Sequence, residues 1–224
     1  MSTFSYSKLP KETDIRVLVI QPGAIDAPIH ANLRVWDGTE PYEALSWSWG
    51  ALSPSISIQI INENGQREPL LIKSNLEVAL KSLRRQDGPR SLWIDAICKQ
   101  IIQLDGANLI RNLGINQSDL EERSGQVSMM RDIYGEATNV CIWLGNEEED
   151  SKMAMDFIQN EILPLDTFDE LINPENTEYS KKWEALAKLM RREWFSRRWV
   201  VQVRFLLFLD TKYRTNIFHI RKLH

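Results

Sequence analysis

The chain has 224 residues, 43% hydrophobic and 26% charged, which suits a globular fold with one sizeable core and excludes a disordered chain. A net charge of −4 and a pI near 5.5 argue against nucleic acid as a partner, and two Cys with three His are too few for a convincing structural zinc site. No apolar run reaches the ~18 residues of a membrane helix and the N-terminus lacks a signal peptide's apolar stretch, so a cytoplasmic protein without a membrane span is expected.

Residues 1–13 read as a flexible lead-in. Asp14 to Gln21 is rich in β-branched residues and ends at Pro22-Gly23, a strand followed by a turn. Ile29 to Trp36 is a weaker strand that pairs with the first as a hairpin. Tyr42 to Trp47 is a short strand leading into Ser-Trp-Gly50, where glycine supplies a backbone conformation closed to larger residues. Ser55 to Ile61 alternates, Asn64-Gly65 signals a type I′ hairpin turn, and Glu68 to Lys73 is the return strand. Ser74 to Glu77 fits a capping box, and Leu76, Ala79, Leu80 and Leu83 follow at helical spacing.

Ser91 to Gly145 organises the rest. It opens on the apolar run SLWIDAIC and closes on TNVCIWLG, with an amphipathic helix between them. Strand, helix and strand make a βαβ unit with parallel strands and a right-handed crossover. The helix has its own capping box, Ser118 to Glu121, and an apolar stripe of Leu120, Val127, Met130, Ile133, Tyr134 and Ala137. Sixteen residues, Lys99 to Gly114, interrupt the unit between strand and helix. Further on, the acidic run Glu147 to Asp150 starts a helix that stops before Pro164, since negative charge suits a helix N-terminus. Trp183, Leu186, Ala187 and Met190 mark the apolar stripe of the last clear helix.

Ligands of open α/β sheets bind at the carboxyl edge of the parallel strands. Asp95, Asn116, Gln117, Asp119, Glu122 and Arg123 collect at that edge. Asp95 is either a site carboxylate or a buried acid held by backbone amides or Arg123. Asn116 and Gln117 either bind polar ligand groups beside free helix amides or close the turn. Ser46 and Ser48 have no visible base and suit turn and hydrogen-bond roles. Trp49 is core or a stacking wall for a base; Arg197 holds a phosphate or an inter-block salt bridge. Cys98 and Cys141 lie in apolar runs and read as buried free thiols.

Four blocks, in order, resemble the HET domain, the heterokaryon incompatibility domain of filamentous fungi. Tyr42-Glu-Ala-Leu-Ser-Trp-Ser-Trp-Gly50 is similar to its Y-x-A-L-S-Y-x-W-G block, with Trp47 where Tyr is usual. Leu92-Trp-Ile-Asp-Ala-Ile-Cys98, joined to Ile115-Asn-Gln117, resembles W-I-D-A-x-C-I-N-Q. Glu122-Arg123, Gln126-Val127, Met130, Ile133-Tyr134, Ala137 and Val140 to Gly145 resemble E-R-x-x-Q-V-x-x-M…IY…A…V…WLG. Trp194-Phe-Ser-Arg-Arg-Trp-Val-Val-Gln202 resembles W-F-x-R-x-W-x-x-Q-E. The likeness covers residues 14–202 and implies an effector domain that triggers regulated cell death after non-self recognition, through self-association or a partner recognition protein. The family is also distantly similar to TIR domains. The elements read above give an α/β fold with a mixed, partly parallel sheet and flanking helices, and the TIR likeness implies a flavodoxin-like parallel sheet. It also implies an alternative, an NAD glycohydrolase with NAD as substrate and Glu122 as its glutamate; a salt-bridged or solvated Glu122 is the leading reading of that residue.

The family runs C-I-N-Q without a break, whereas here Lys99–Gly114 intervenes. Whole codons keep the frame, Cys-Lys permits a GTAAG splice donor, and Ala-Asn-Leu permits a CTAAC branch point. Gln202-Val203-Arg204 permits a second donor where the family has Gln-Glu. Residues 99–114 and 203–224 therefore read as translated introns, with a genuine insertion loop as the other reading for 99–114. If both segments persist in the product, an inactive truncated remnant is the third functional alternative.

Overall fold

The computed structural model describes residues 10–11, 14–48, 54–61, 65–95, 129–130, 132–164, 177–196 and 218–219. Its strands are β1 (Arg16–Ile20), β2 (His30–Val35), β3 (Glu43–Trp47), β4 (Ile56–Ile61), β5 (Arg67–Ile72), β6 (Arg90–Ile94), β7 (Asn139–Trp143) and β8 (Phe218–His219). Its helices are α1 (Ser74–Leu83), α2 (residues 129–130 and 132–136), α3 (Ser151–Phe157, continued by a wider turn at Ile158–Ile162) and α4 (Thr177–Met190). The strands follow the order β5-β4-β2-β1-β6-β3-β7-β8. The pairs β2·β4, β3·β6 and β7·β8 are parallel, while β1·β2, β1·β6 and β4·β5 are antiparallel. The fold is therefore α/β with a mixed, partly parallel sheet and flanking helices. Two compact units divide the chain: Met1–Ser46 with Leu52–Cys141, and Trp47–Ala51 with Ile142–His224.

In the first unit, position in the sheet explains composition. β1 and β6 are interior, and Val17, Leu18, Ile20, Leu92, Trp93 and Ile94 are all buried, as strands covered on both faces must be. β4 lies one place from the edge and alternates, burying Ile58 and Ile60. β5 forms the edge, carries Pro69 and leaves Leu71 half exposed, since proline removes a ladder donor. The expected hairpin of β1 with β2 forms, from Arg16↔Val35 to Ile20↔Ala31.

Two local expectations need correction. The β4–β5 hairpin forms, but Ile56↔Ile72 through Ile61↔Arg67 is symmetric about position 64. A two-residue turn at Asn64-Gly65 would shift that register by one, so the connection has an odd number of residues. Gly65 has φ +77°, a left-handed conformation that favours glycine. On α1 the predicted stripe is buried as expected, yet the capping box does not form. Lys73 occupies the N-cap without a side-chain cap, Ser74 is already helical, and Glu77 instead pairs with Lys81 at 2.9 Å. The two strands of the expected βαβ unit, β6 and β7, lie in one sheet with β3 between them. The Thr138 amide and hydroxyl both donate to the Tyr42 carbonyl at 2.9 Å, which starts β7 and β3 side by side.

α2 meets the same region through its buried Ile133, Tyr134 and Ala137, the end of the stripe read from the sequence. Tyr42 Oη donates to the Ile133 carbonyl at 2.6 Å, and Trp93 meets Tyr134 edge-on at 5.6 Å. The other stripe residues, Leu120 and Val127, and the second capping box lie outside the described residues.

In the second unit, α3 buries Ala154, Met155 and Phe157. Phe157 packs edge-on to Trp183 at 5.1 Å and tilted to Tyr179 at 6.4 Å. This contact sets the rotation of α4, whose buried residues are Ala185 and Leu189, while Ala187 and Met190 are exposed. The buried face is thus turned by one residue from the predicted stripe. Lys182 seals its margin, pairing with Glu161 at 2.9 Å and Glu178 at 2.8 Å. The acidic run precedes α3 rather than filling its first turn. Glu148 lies 3.5 Å from Arg192, Asp150 lies 2.6 Å from Lys188, and Ser151 Oγ accepts from the Glu148 amide at 2.8 Å.

Candidate functional site

β3 and β6 run parallel with Ala44↔Trp93 and Leu45↔Ile94 in register. Ser46 is the next-to-last residue of β3, and Asp95 follows directly after β6. Both predicted site residues therefore lie near the carboxyl ends of adjacent parallel strands. Ser46 is 1% exposed and Asp95 9%. A carboxylate at that depth needs hydrogen bonds or a cation, and neither residue is free of partners. Ser48 is held differently, its hydroxyl donating to Glu193 Oε2 at 3.3 Å within the second unit. Trp49, Gly50, Asn116, Gln117, Glu122, Arg123 and Arg197 lie outside the described residues, as does Cys98.

The opposite, amino edge of the same strands holds a polar cluster that the sequence reading missed. Glu43 opens β3, Arg90 opens β6, and Cys141 is the third residue of β7. The Arg90 Nε donates to Glu43 Oε2, its NH1 to the Leu83 carbonyl at 2.8 Å, and its NH2 to Cys141 Sγ at 3.2 Å. Arg85 adds a looser contact to Glu43 at 3.7 Å. Burial pushes the Cys141 thiol up to about 11, outweighing the nearby Arg90 charge. Cys141 is thus a neutral packing thiol rather than a nucleophile. The only trace of this cluster in the sequence is a charge at the head of each of two apolar runs.

Arg84 is the other residue missed. Its guanidinium donates to the carbonyls of Pro28 at 2.9 Å, Ile25 at 3.0 Å and Ala27 at 2.9 Å, and also to that of Ala24. The β1–β2 connection is folded around it, and Gly23 passes so close that an added Cβ would lie 3.4 Å from NH1. No group of three His, Cys, Asp or Glu among the described residues is placed to hold a metal. His30 heads β2, exposed and on a different strand from Ser46 and Cys141. Among the described residues no helix is long and apolar enough to cross a membrane.

These features define an α/β domain with a buried serine and a buried aspartate near the carboxyl ends of two adjacent parallel strands. The profile described as Heterokaryon incompatibility protein (HET) matches residues 42–112 and 109–202. The chain belongs to the HET family. The two matched stretches meet inside the Lys99–Gly114 interruption, where the family pattern is broken. A similar curated protein is Heterokaryon incompatibility protein 6, OR allele, of Neurospora crassa, 41% identical over 123 residues. The alignment covers 51% of this chain, which spans 16% of that relative's length. No solved structure matches.

Proposed function

We propose that this chain is a cytoplasmic heterokaryon-incompatibility effector domain that triggers regulated cell death in non-self recognition. The family match across residues 42–202 carries the reading. The relative's name, a heterokaryon incompatibility protein, supports it. In this reading Ser46 and Asp95 shape the working edge; Trp49, Gly50, Asn116, Gln117, Arg123 and Arg197 remain candidates through the family blocks that they belong to. Assembly with itself or with a recognition partner transmits the signal. The NAD-cleaving alternative rests on resemblance and on Glu122, and the described residues add nothing to it.

Inducible expression in a filamentous fungus tests the proposal, using one version as given and one lacking residues 99–114. Uptake of a vital dye and loss of viable hyphae are expected from the shortened version, with Asp95→Asn abolishing both. Unchanged viability from both versions would reject the effector reading. Nicotinamide release that disappears in Glu122→Ala would transfer the assignment to the enzyme.

A further inference from the structure

We infer that Arg192 and Glu193 are positioning residues, holding the chain where it leaves β7 and where it leaves β3. The role rests on the effector reading of the carboxyl edge. Both residues follow α4, and their backbone is fixed. The Arg192 amide donates to the Leu189 carbonyl at 3.2 Å, and the Phe195 amide donates to the Arg192 carbonyl at 3.0 Å. Glu193 then opens a short 3-10 turn, Glu193–Ser196, in which Trp194 is buried.

The Arg192 side chain is 11% exposed. Its NH1 donates to the Leu144 carbonyl at 3.2 Å and its NH2 to Ser151 Oγ at 2.8 Å, with Glu148 at 3.5 Å. Leu144 is the first residue after β7, and Ser151 opens α3. One guanidinium therefore spans the whole β7–α3 connection. A planar fork can do this in two fixed directions, whereas a lysine ammonium is a point charge. Glu193, the next residue, accepts from the Ser48 hydroxyl at 3.3 Å. Ser48 is the first residue after β3, two positions beyond Ser46. All of these residues except Ser46 belong to the second unit. β3 and β7 are neighbours in the sheet, so two consecutive side chains hold the exits of two adjacent strands. Ser48 lies in the first family block, Leu144 in the third, and Glu193 directly before the fourth. The Ser48–Glu193 contact is exposed, and one such hydrogen bond adds little to global stability. Its effect is local, on where the chain after β3 is held.

Hydrogen exchange over Trp47–Ser48 and over Ile142–Leu144 tests the pair, with the α1 amides as a control for folding. Glu193→Ala and Ser48→Ala are each expected to speed exchange over Trp47–Ser48 roughly fivefold, the size of one net hydrogen bond, with α1 unchanged. The double variant should exchange no faster than either single one, and Glu193→Gln, which keeps an acceptor, should match the parent. Arg192→Lys is expected to speed exchange over Ile142–Leu144 by roughly the same factor. In hyphae expressing the version without residues 99–114, both alanine variants should lower dye uptake severalfold, while Glu193→Gln retains it. Exchange that is unchanged in Glu193→Ala and in Arg192→Lys would overturn the pair. Killing by Glu193→Ala equal to the parent's would overturn the positioning role even if exchange speeds up. A parent that does not kill would reject the effector reading alone, because exchange still decides whether the two residues hold the strand ends.

Discussion

Cys141 lies between an arginine and a glutamate, yet burial decides its chemistry. The Arg90 guanidinium at 3.2 Å favours the thiolate, while desolvation and Glu43 oppose it, and the thiol rises from 9.0 to about 11. The folded chain thus holds this proton more tightly than the unfolded one. Its stabilising contribution is fully present below pH 9 and is lost as the pH climbs from 9 toward about 11. A shift of that size corresponds to about 2–3 kcal/mol. Urea unfolding at pH 8 to 11 should show the wild type losing that much more stability than Cys141→Ala. An equal pH dependence of the two proteins would contradict the burial argument. The residues that sequence reading missed, Glu43, Arg84 and Arg90, share one property. Each makes its contacts far along the chain, with Arg84 reaching back 56 to 60 residues. Local pattern marks a charge but not the carbonyls that will surround it.

α4 shows the same limit one level up. Trp183, Ala185, Leu186, Ala187, Leu189 and Met190 contain two overlapping apolar stripes at helical spacing. Periodicity alone does not choose between them. Phe157 does, because its ring must lie against Trp183 and Tyr179, which turns Leu189 inward and leaves Met190 40% exposed. Leu189→Ala should therefore cost about 2–4 kcal/mol in urea unfolding, as a buried leucine truncation does. Met190→Ala should stay within about 0.5 kcal/mol, as surface changes do. The reverse ranking would restore the original stripe. The capping box failed for a related reason. The pattern Ser74 to Glu77 was present, but β5 ends at Ile72 and brings the helix in one residue earlier, with Lys73 at the cap.

At the scale of the molecule, the interruption at Lys99–Gly114 carries the largest consequence. It separates Asp95 from Asn116, Gln117 and Glu122 along the chain, and the family match breaks within it. Sequencing the transcript is expected to show Cys98 joined to Ile115 and a different continuation after Gln202. A message that retains both segments would refute the intron reading and favour an inactive remnant. The order of strands also belongs to this scale. The βαβ pattern named β6, α2 and β7 correctly as parts, but β3 enters between the two strands.

Apolar alternation and turn residues determined where β1 to β7 run, which residues of α1 are buried, and that Cys141 is a buried thiol. Four ordered motif blocks determined the family. These are local or linear properties, legible because side-chain periodicity follows backbone geometry. The tertiary structure alone decided the hairpin register at position 64, the face of α4, the place of β3 in the sheet and the parallel pairing of the strands that carry Ser46 and precede Asp95. Each of those depends on a partner distant in sequence, and packing energy rather than local preference selects among the arrangements that the pattern permits.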